Sequence, residues 1–265
     1  MTRRLRLDAE LVRRGLARSR DQAAELIAAG RVEVAGAPAG KAATQVGVDA
    51  AIIVREPPGG ADYVSRGGHK LAGALAALGG PPVAGRRCLD AGASTGGFTE
   101  VLLAAGAQHV VAVDVGYGQL AWPLRTDPRV TVLDRVNVRS LRPEQVAPAP
   151  SLVTADLSFI SLTLVLPALV ACAAPGADLV LMVKPQFEVG KGKVGSGGVV
   201  RDPALRQAAV TAVAAAAVAG LGVAGVTASP LPGPSGNVEY FLWLRAGAPP
   251  LQDEALRQAV AAGPQ

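Results

Sequence analysis

The feature that most constrains this chain is a regular alternation between Ser65 and about Arg245. The apolar runs RRCLDA, HVVAVDV, VTVLDR, SLVTADL, DLVLMVK, VAGVTAS and EYFLWLR are separated by helix-like segments near 97–105, 118–125, 163–173 and 203–219. Strands that alternate with helices imply a mostly parallel sheet covered on both faces. No helix-like segment separates the last two runs, so the final strand is expected to be antiparallel. The fold class is therefore α/β, a Rossmann-like sheet, joined to a small N-terminal α+β module. Ligands of open α/β sheets bind beyond the C-terminal strand ends, and several of these runs end in polar residues.

The expected boundaries are a module over 1–59, a linker over 60–64, the sheet domain over 65–246 and a tail over 247–265. A chain of 265 residues has room for two such cores. In RLDAELVRRG, Leu7, Leu11 and Val12 share one helical face, and Gly15 ends it. Ser19 and Gln22 have capping-box spacing at a second helix start, and Gly30 suits its C-terminal cap. RVEVAG and VDAAIIV read as strands, and PPGGADYV as a connection. The tail is expected to form a short helix around LQDEALRQAV or to stay mobile.

Charge points to a partner. The net charge is +5, and the first twenty residues hold seven arginines against Asp8 and Glu10. Such a cluster suits a polyanion, with a solvated helix face as the alternative. Arg3, Arg4, Arg6, Arg14, Arg18 and Arg20 are the candidate phosphate contacts. Lys191 and Lys193, in VGKGKVGSGG, are a second candidate set. An aromatic content of 3% argues against a base-stacking platform for single strands. Cys88 and Cys172 read as buried packing residues, and two histidines supply no metal set, so no metal is expected. Ala208 to Val238 carries no charge, yet its glycines and prolines divide it. It reads as a core-facing helix and a buried strand rather than a bilayer span. The N-terminus lacks an apolar signal region, so a cytoplasmic location is expected.

Two constellations carry the chemistry. DAGASTGG, with Asp90, Gly92, Ala93, Ser94, Thr95, Gly96 and Gly97, follows the first sheet strand and opens a helix. Ser94 stands where a dinucleotide fingerprint has its central glycine. Asp114 ends the next strand, where an acid can accept from ribose hydroxyls. Asp134 and Asn137 follow the third, where an adenine edge can be read. In this order they favour an adenosine-containing cofactor, and the antiparallel last strand favours S-adenosylmethionine over NAD. The second constellation is Lys70, Asp156, Lys184 and Glu239. Lys70 ends SRGGHK, just ahead of the first sheet strand; the other three sit at or beside strand ends. Two lysines and two carboxylates at one sheet edge suit removal of a hydroxyl proton beside a bound electrophile, or else form a structural ion-pair network.

The segment RLDAELVRRGLARSRDQAAELIAAGRVEV resembles an S4 RNA-binding module. SRGGHKL, DAGASTGGFTEVLL, DVGYGQL, ADLSFISL, VKPQFEVGKG, GGVVRD and SPLPGPSGNVEYFLWL resemble, in the same order, the TlyA (haemolysin A) family. The resemblance runs from about Thr2 to Arg245. It implies an S-adenosylmethionine-dependent rRNA (cytidine-2′-O)-methyltransferase, with a class I methyltransferase sheet like that of FtsJ/RrmJ. It further implies ribosomal RNA of both subunits as substrate, and Lys70, Asp156, Lys184 and Glu239 as the family's catalytic set. Lys184 would be the base or the stabiliser of the forming alkoxide. Asp134 departs from the glutamate expected there, and the linker near Ala61–Tyr63 differs in composition. Competing readings are a non-catalytic ribosome-binding protein, an NAD enzyme, and a membrane-lytic protein, the last suggested by the family's historical name.

Overall fold

The computed structural model describes residues 4–17, 19–55, 63–217 and 220–264. The chain forms two compact units, Met1–Asp62 and Tyr63–Gln265.

The first unit is built from strand β1 (Arg4–Arg6), helices α1 (Leu7–Arg13) and α2 (Arg20–Ala28), then strands β2 (Val32–Val34), β3 (Ala37–Pro38), β4 (Gln45–Gly47) and β5 (Ile52–Val54). Strand β1 pairs with β4, and β2 pairs with both β3 and β5, all antiparallel. The hydroxyl of Ser19 accepts from the N–H of Gln22 and starts α2. Leu7, Leu11, Ala23, Leu26, Ile27, Val32 and Val46 close a small core.

The second unit begins with helix α3 (Arg66–Leu78), then β6 (Arg87–Ala91), α4 (Gly97–Ala104), β7 (His109–Asp114), α5 (Trp122–Arg125), β8 (Val130–Asp134), α6 (Pro143–Val146) and β9 (Leu152–Ala155). It continues with α7 (Leu162–Cys172), β10 (Asp178–Val183), α8 (Pro185–Glu188), α9 (Pro203–Ala215), β11 (Leu221–Ala228), β12 (Tyr240–Ala246) and α10 (Asp253–Ala261). The sheet order is β11-β12-β10-β9-β6-β7-β8. Pairing is parallel from β10 to β8, and β12 is antiparallel to both its neighbours. The expected sheet, with its single reversed strand, is therefore present.

Period-two side-chain alternation sends successive residues to opposite faces. Leu89, Val111, Val153, Leu181 and Leu242 pack with α7, α9 and α10. Cys88, Val110, Leu152, Val180 and Phe241 pack with α3 and α4. Both cysteines are free and buried, and burial pushes the Cys88 thiol up to about 12.

Two expectations need correction. Lys70 does not lie on an approach to the first sheet strand; it is inside α3, a helix of 13 residues. The glycines of SRGGHKLAGA obscure it, because glycine disfavours an isolated helix. Here they admit close packing: a Cβ on Gly97 of α4 would stand 2.7 Å from the N of Gly68 in α3. Strand β11 is an edge strand and mostly half-buried rather than buried. The tail takes the helical form expected around LQDEALRQAV: it is α10, whose Leu256, Ala259 and Val260 join the core. No helix among the described residues is long and apolar enough to cross a membrane.

Candidate active site

Sheet register explains how the distant residues meet. Val183, last in β10, pairs with Tyr240, first in β12. The next residue out on each strand is Lys184 and Glu239, so the reversal of β12 brings its leading residue to the edge where β10 ends. Ala155, last in β9, pairs with Ala91 of β6 and Leu181 of β10, and Asp156 follows at the same edge.

The four residues form two ion pairs. Lys70 Nζ lies 2.6 Å from Glu239 Oε2, with side-chain exposures of 7% and 1%. Lys184 Nζ lies 2.6 Å from Asp156 Oδ1, as an ionic contact rather than an aligned hydrogen bond, and donates to Ser158 Oγ at 3.0 Å. The Lys184 pair is the more open, at 11% and 24%. A buried pair survives desolvation only through close, hydrogen-bonded geometry, and the Lys70–Glu239 pair has it.

The glycine-rich turn touches this edge. Gly92 has φ +88°, and a Cβ there would stand 2.2 Å from the carbonyl oxygen of Asp156. Only glycine satisfies both constraints. Beneath the turn, Asp90 is fully buried. Its Oδ2 accepts from Thr99 Oγ1 at 2.7 Å, while Oδ1 has no partner. Burial raises its carboxyl to about 7, with Asp156 and Asp114 adding repulsion and the Thr99 bond opposing it. A buried carboxyl oxygen without a partner, under a close-approach turn, is a fitting recess for a ligand's cationic or donor group.

Other predicted residues hold the turn or its neighbours. Asp114 accepts from the N–H of Ser94 (2.8 Å) and of Gly116 (2.6 Å), so it fixes the turn that contains Ala93 and Thr95. Asp134 is paired with Arg125 at 2.6 Å, which together with burial-opposed hydrogen bonding holds its carboxyl below the usual range. Asn137 Oδ1 accepts from the N–H of Arg139 and caps a 3₁₀ turn. These contacts occupy part of each side chain's hydrogen-bonding capacity.

Sequence reasoning missed an aromatic feature beside Lys184. Phe159 is 91% exposed with φ +65°, and its ring lies 5.3 Å from that of Phe187. A left-handed conformation costs a residue with a side chain about 1–3 kcal/mol, so the surrounding contacts hold it there. ADLSFIS gives no sign of this, because backbone conformation at one phenylalanine is a tertiary outcome. Among the described residues no cluster of metal-binding side chains occurs.

In the first unit the predicted arginines divide. Arg6 and Arg20 both pair with Asp8 at 2.9 Å and stay 44% and 59% exposed. Arg4 is exposed. Arg14 differs: it pairs with Glu10 at 2.7 Å and donates to the carbonyls of Ala50 and Val48. Glu10 is fully buried, and the hydrogen bonds from Arg13 and Arg14 bring its carboxyl down to about 2. Arg14 is thus bound into the fold itself. Lys193 is exposed, whereas Arg3, Arg18 and the Lys191 side chain lie outside the described residues.

A seven-stranded sheet with one reversed strand, a glycine turn after β6 and two lysine–carboxylate pairs at the edge beside it are the frame of a methyltransferase-type enzyme. Residues 63–246 match the FtsJ-like methyltransferase family and residues 5–52 the S4 domain. The chain is 63% identical, over the whole of both proteins, to the 16S/23S rRNA (cytidine-2′-O)-methyltransferase TlyA of Mycobacterium tuberculosis. It is 38% identical to hemolysin A of Brachyspira hyodysenteriae over 72% of this chain and 78% of that protein. A solved structure from Streptococcus thermophilus, named as a hemolysin, superposes with a TM-score of 0.76 at 37% identity, covering 98% of this chain and 96% of that one. The chain belongs to the TlyA family of FtsJ-like methyltransferases.

Proposed function

We propose that this chain transfers a methyl group from S-adenosylmethionine to the 2′-hydroxyl of cytidine in ribosomal RNA, acting on both small- and large-subunit rRNA in the cytoplasm. The observation that carries the reading is the pair of lysine–carboxylate contacts at the edge bordered by the Gly92 turn. The name of the mycobacterial relative supports the substrate.

When bound, the cofactor supplies an activated methyl sulfonium. Asp90, Gly92–Gly97 and Asp114 would hold it, with Asp134 and Asn137 toward its base. What remains for the protein is to place a poor nucleophile in line and handle its proton. Lys184, the more open lysine, meets the hydroxyl and acts as base or as stabiliser of the forming alkoxide. Asp156 and Ser158 orient its Nζ. Lys70, locked to Glu239, supplies a second fixed positive charge and takes less part in proton transfer. Phe159 offers an exposed face on which a nucleobase drawn out of the RNA can stack. Arg4, Arg6 and Arg20, with Lys191 and Lys193, contact phosphates; Asp8 aims two of the guanidiniums and leaves their outer N–H groups free for the RNA.

The test uses radiolabelled S-adenosylmethionine with separated, unmodified 30S and 50S subunits. Label in alkali-resistant dinucleotides from both subunits is expected, and Lys184→Ala should abolish it while still binding the cofactor. Label confined to one subunit would remove the dual-substrate claim. Near-wild-type turnover by Lys184→Ala would remove that residue from the mechanism. Lys70→Ala is a poorer probe, because it strands a buried carboxylate at a cost of about 3–5 kcal/mol.

A further inference from the structure

The segments that follow β9 and β10 are tied together at successive points. Nearest the sheet, Lys184 contacts Asp156 and Ser158. Next, the rings of Phe159 and Phe187 meet. Farthest out, Glu188 Oε2 accepts from Ser161 Oγ at 2.5 Å, and Oε1 accepts from the N–H of Leu162 at 2.8 Å. Ser161 and Leu162 begin α7, so Glu188 satisfies an N–H that the helix cannot satisfy itself and adds negative charge at the favourable helix end. Between the inner and outer ties lies Phe159, in its left-handed conformation and almost fully exposed. Its own burial cannot hold that conformation. The outer tie closes the loop on its far side.

We propose that Glu188 is a positioning residue for methyl transfer. It holds residues 157–160 against the Lys184 segment, so that Ser158 and Phe159 stand correctly beside Lys184. Glu188 acts through this loop, since both its carboxylate oxygens are engaged by Ser161 and Leu162. This rests on the methyltransferase reading of the same site. Glutamine at this position keeps a carbonyl acceptor for Leu162 N–H, with an amide that can donate to the Ser161 hydroxyl oxygen, so the proposal distinguishes Glu188→Gln from Glu188→Ala.

Two measurements decide it. The first is amide hydrogen exchange in the free protein, which needs no activity. Glu188→Ala should speed exchange in residues 157–162 at least tenfold, with Glu188→Gln close to wild type. The second is turnover on ribosomal subunits. Glu188→Ala should lower kcat tenfold or more, leave S-adenosylmethionine affinity within twofold, and be largely rescued by glutamine. In a Phe159→Ala background the Glu188→Ala substitution should cost little more, because both act through one loop. Unchanged exchange, or losses that multiply in the double variant, would overturn the proposal. So would a drop in cofactor affinity that matches the drop in kcat, because Glu188 would then support the whole unit. If wild type methylates neither subunit, the functional reading fails, and the exchange result still decides whether Glu188 holds the loop.

Discussion

Asp90 makes the stability of the second unit depend on pH in an unusual direction. Its carboxyl is raised from the ordinary 3.8 to about 7, chiefly by burial. For an acid raised on folding, the native state holds the proton over a range where the unfolded chain has released it. Stability therefore falls as pH rises through that range. Each pH unit of separation is worth about 1.4 kcal/mol, so ionising Asp90 in the fold costs about 4 kcal/mol in full. Between pH 5 and pH 8 the loss should be about 2–3 kcal/mol, most of it between pH 5 and 7. Asp90→Asn keeps an acceptor for Thr99 and removes the titration. Urea unfolding without cofactor, followed by tryptophan fluorescence at several pH values, reads this directly. Trp122 and Trp243 both lie in the second unit. Lowering of the His109 imidazole by burial contributes a slope of opposite sign, but it is common to both proteins and cancels in the difference. Relative to the variant, wild type should lose about 2–3 kcal/mol of stability from pH 5 to pH 8. A difference that stays constant with pH would refute the reasoning, since Asp90 would then not titrate in this window.

Other expectations concern the frame around the site. Asp178, buried at the opposite end of β10, receives Arg86 at 2.6 Å, Arg245 at 3.2 Å and the indole N–H of Trp243 at 2.8 Å. Asp178→Ala leaves the buried Trp243 N–H without its acceptor and takes one from the part-exposed Arg86, so it should destabilise the second unit by about 1–3 kcal/mol without changing cofactor contacts; calorimetry checks this. Gly92→Ala should displace the turn from Asp156 and abolish S-adenosylmethionine binding in a titration, and retained affinity would contradict the 2.2 Å clash. In the first unit, Arg20→Ala should weaken subunit binding and reduce its salt dependence by about one phosphate contact. Arg14→Ala should act instead through unfolding of that unit, visible as a lower melting transition.

The alternation of apolar runs and helices was enough to read the sheet and its reversed last strand, because strand period and connection length are local properties of the chain. The glycine turn was legible for the same reason: its position after a strand and before a helix is written in consecutive residues. Helix α3 was not, since Gly67, Gly68 and Gly73 weaken a helical reading and are justified only by what packs on them. Lys70, Asp156, Lys184 and Glu239 could be named from motifs, but their division into a buried pair and an open pair could not. That division follows from the β10–β12 register and from Lys70 of α3 reaching Glu239.

The N-terminal arginines show the same limit. Their clustering announces a polyanion partner, yet the backbone carbonyls of Val48 and Ala50 decide that Arg14 is structural while Arg20 stays exposed. Sequence by itself determined the fold class, the turn and the residue types available at the sheet edge, because these depend on near neighbours and on periodicity. Tertiary structure alone decided which charge is sealed from water, which carboxyl keeps its proton and which phenylalanine stands open beside Lys184. Those properties depend on desolvation and on contacts between residues far apart in the chain.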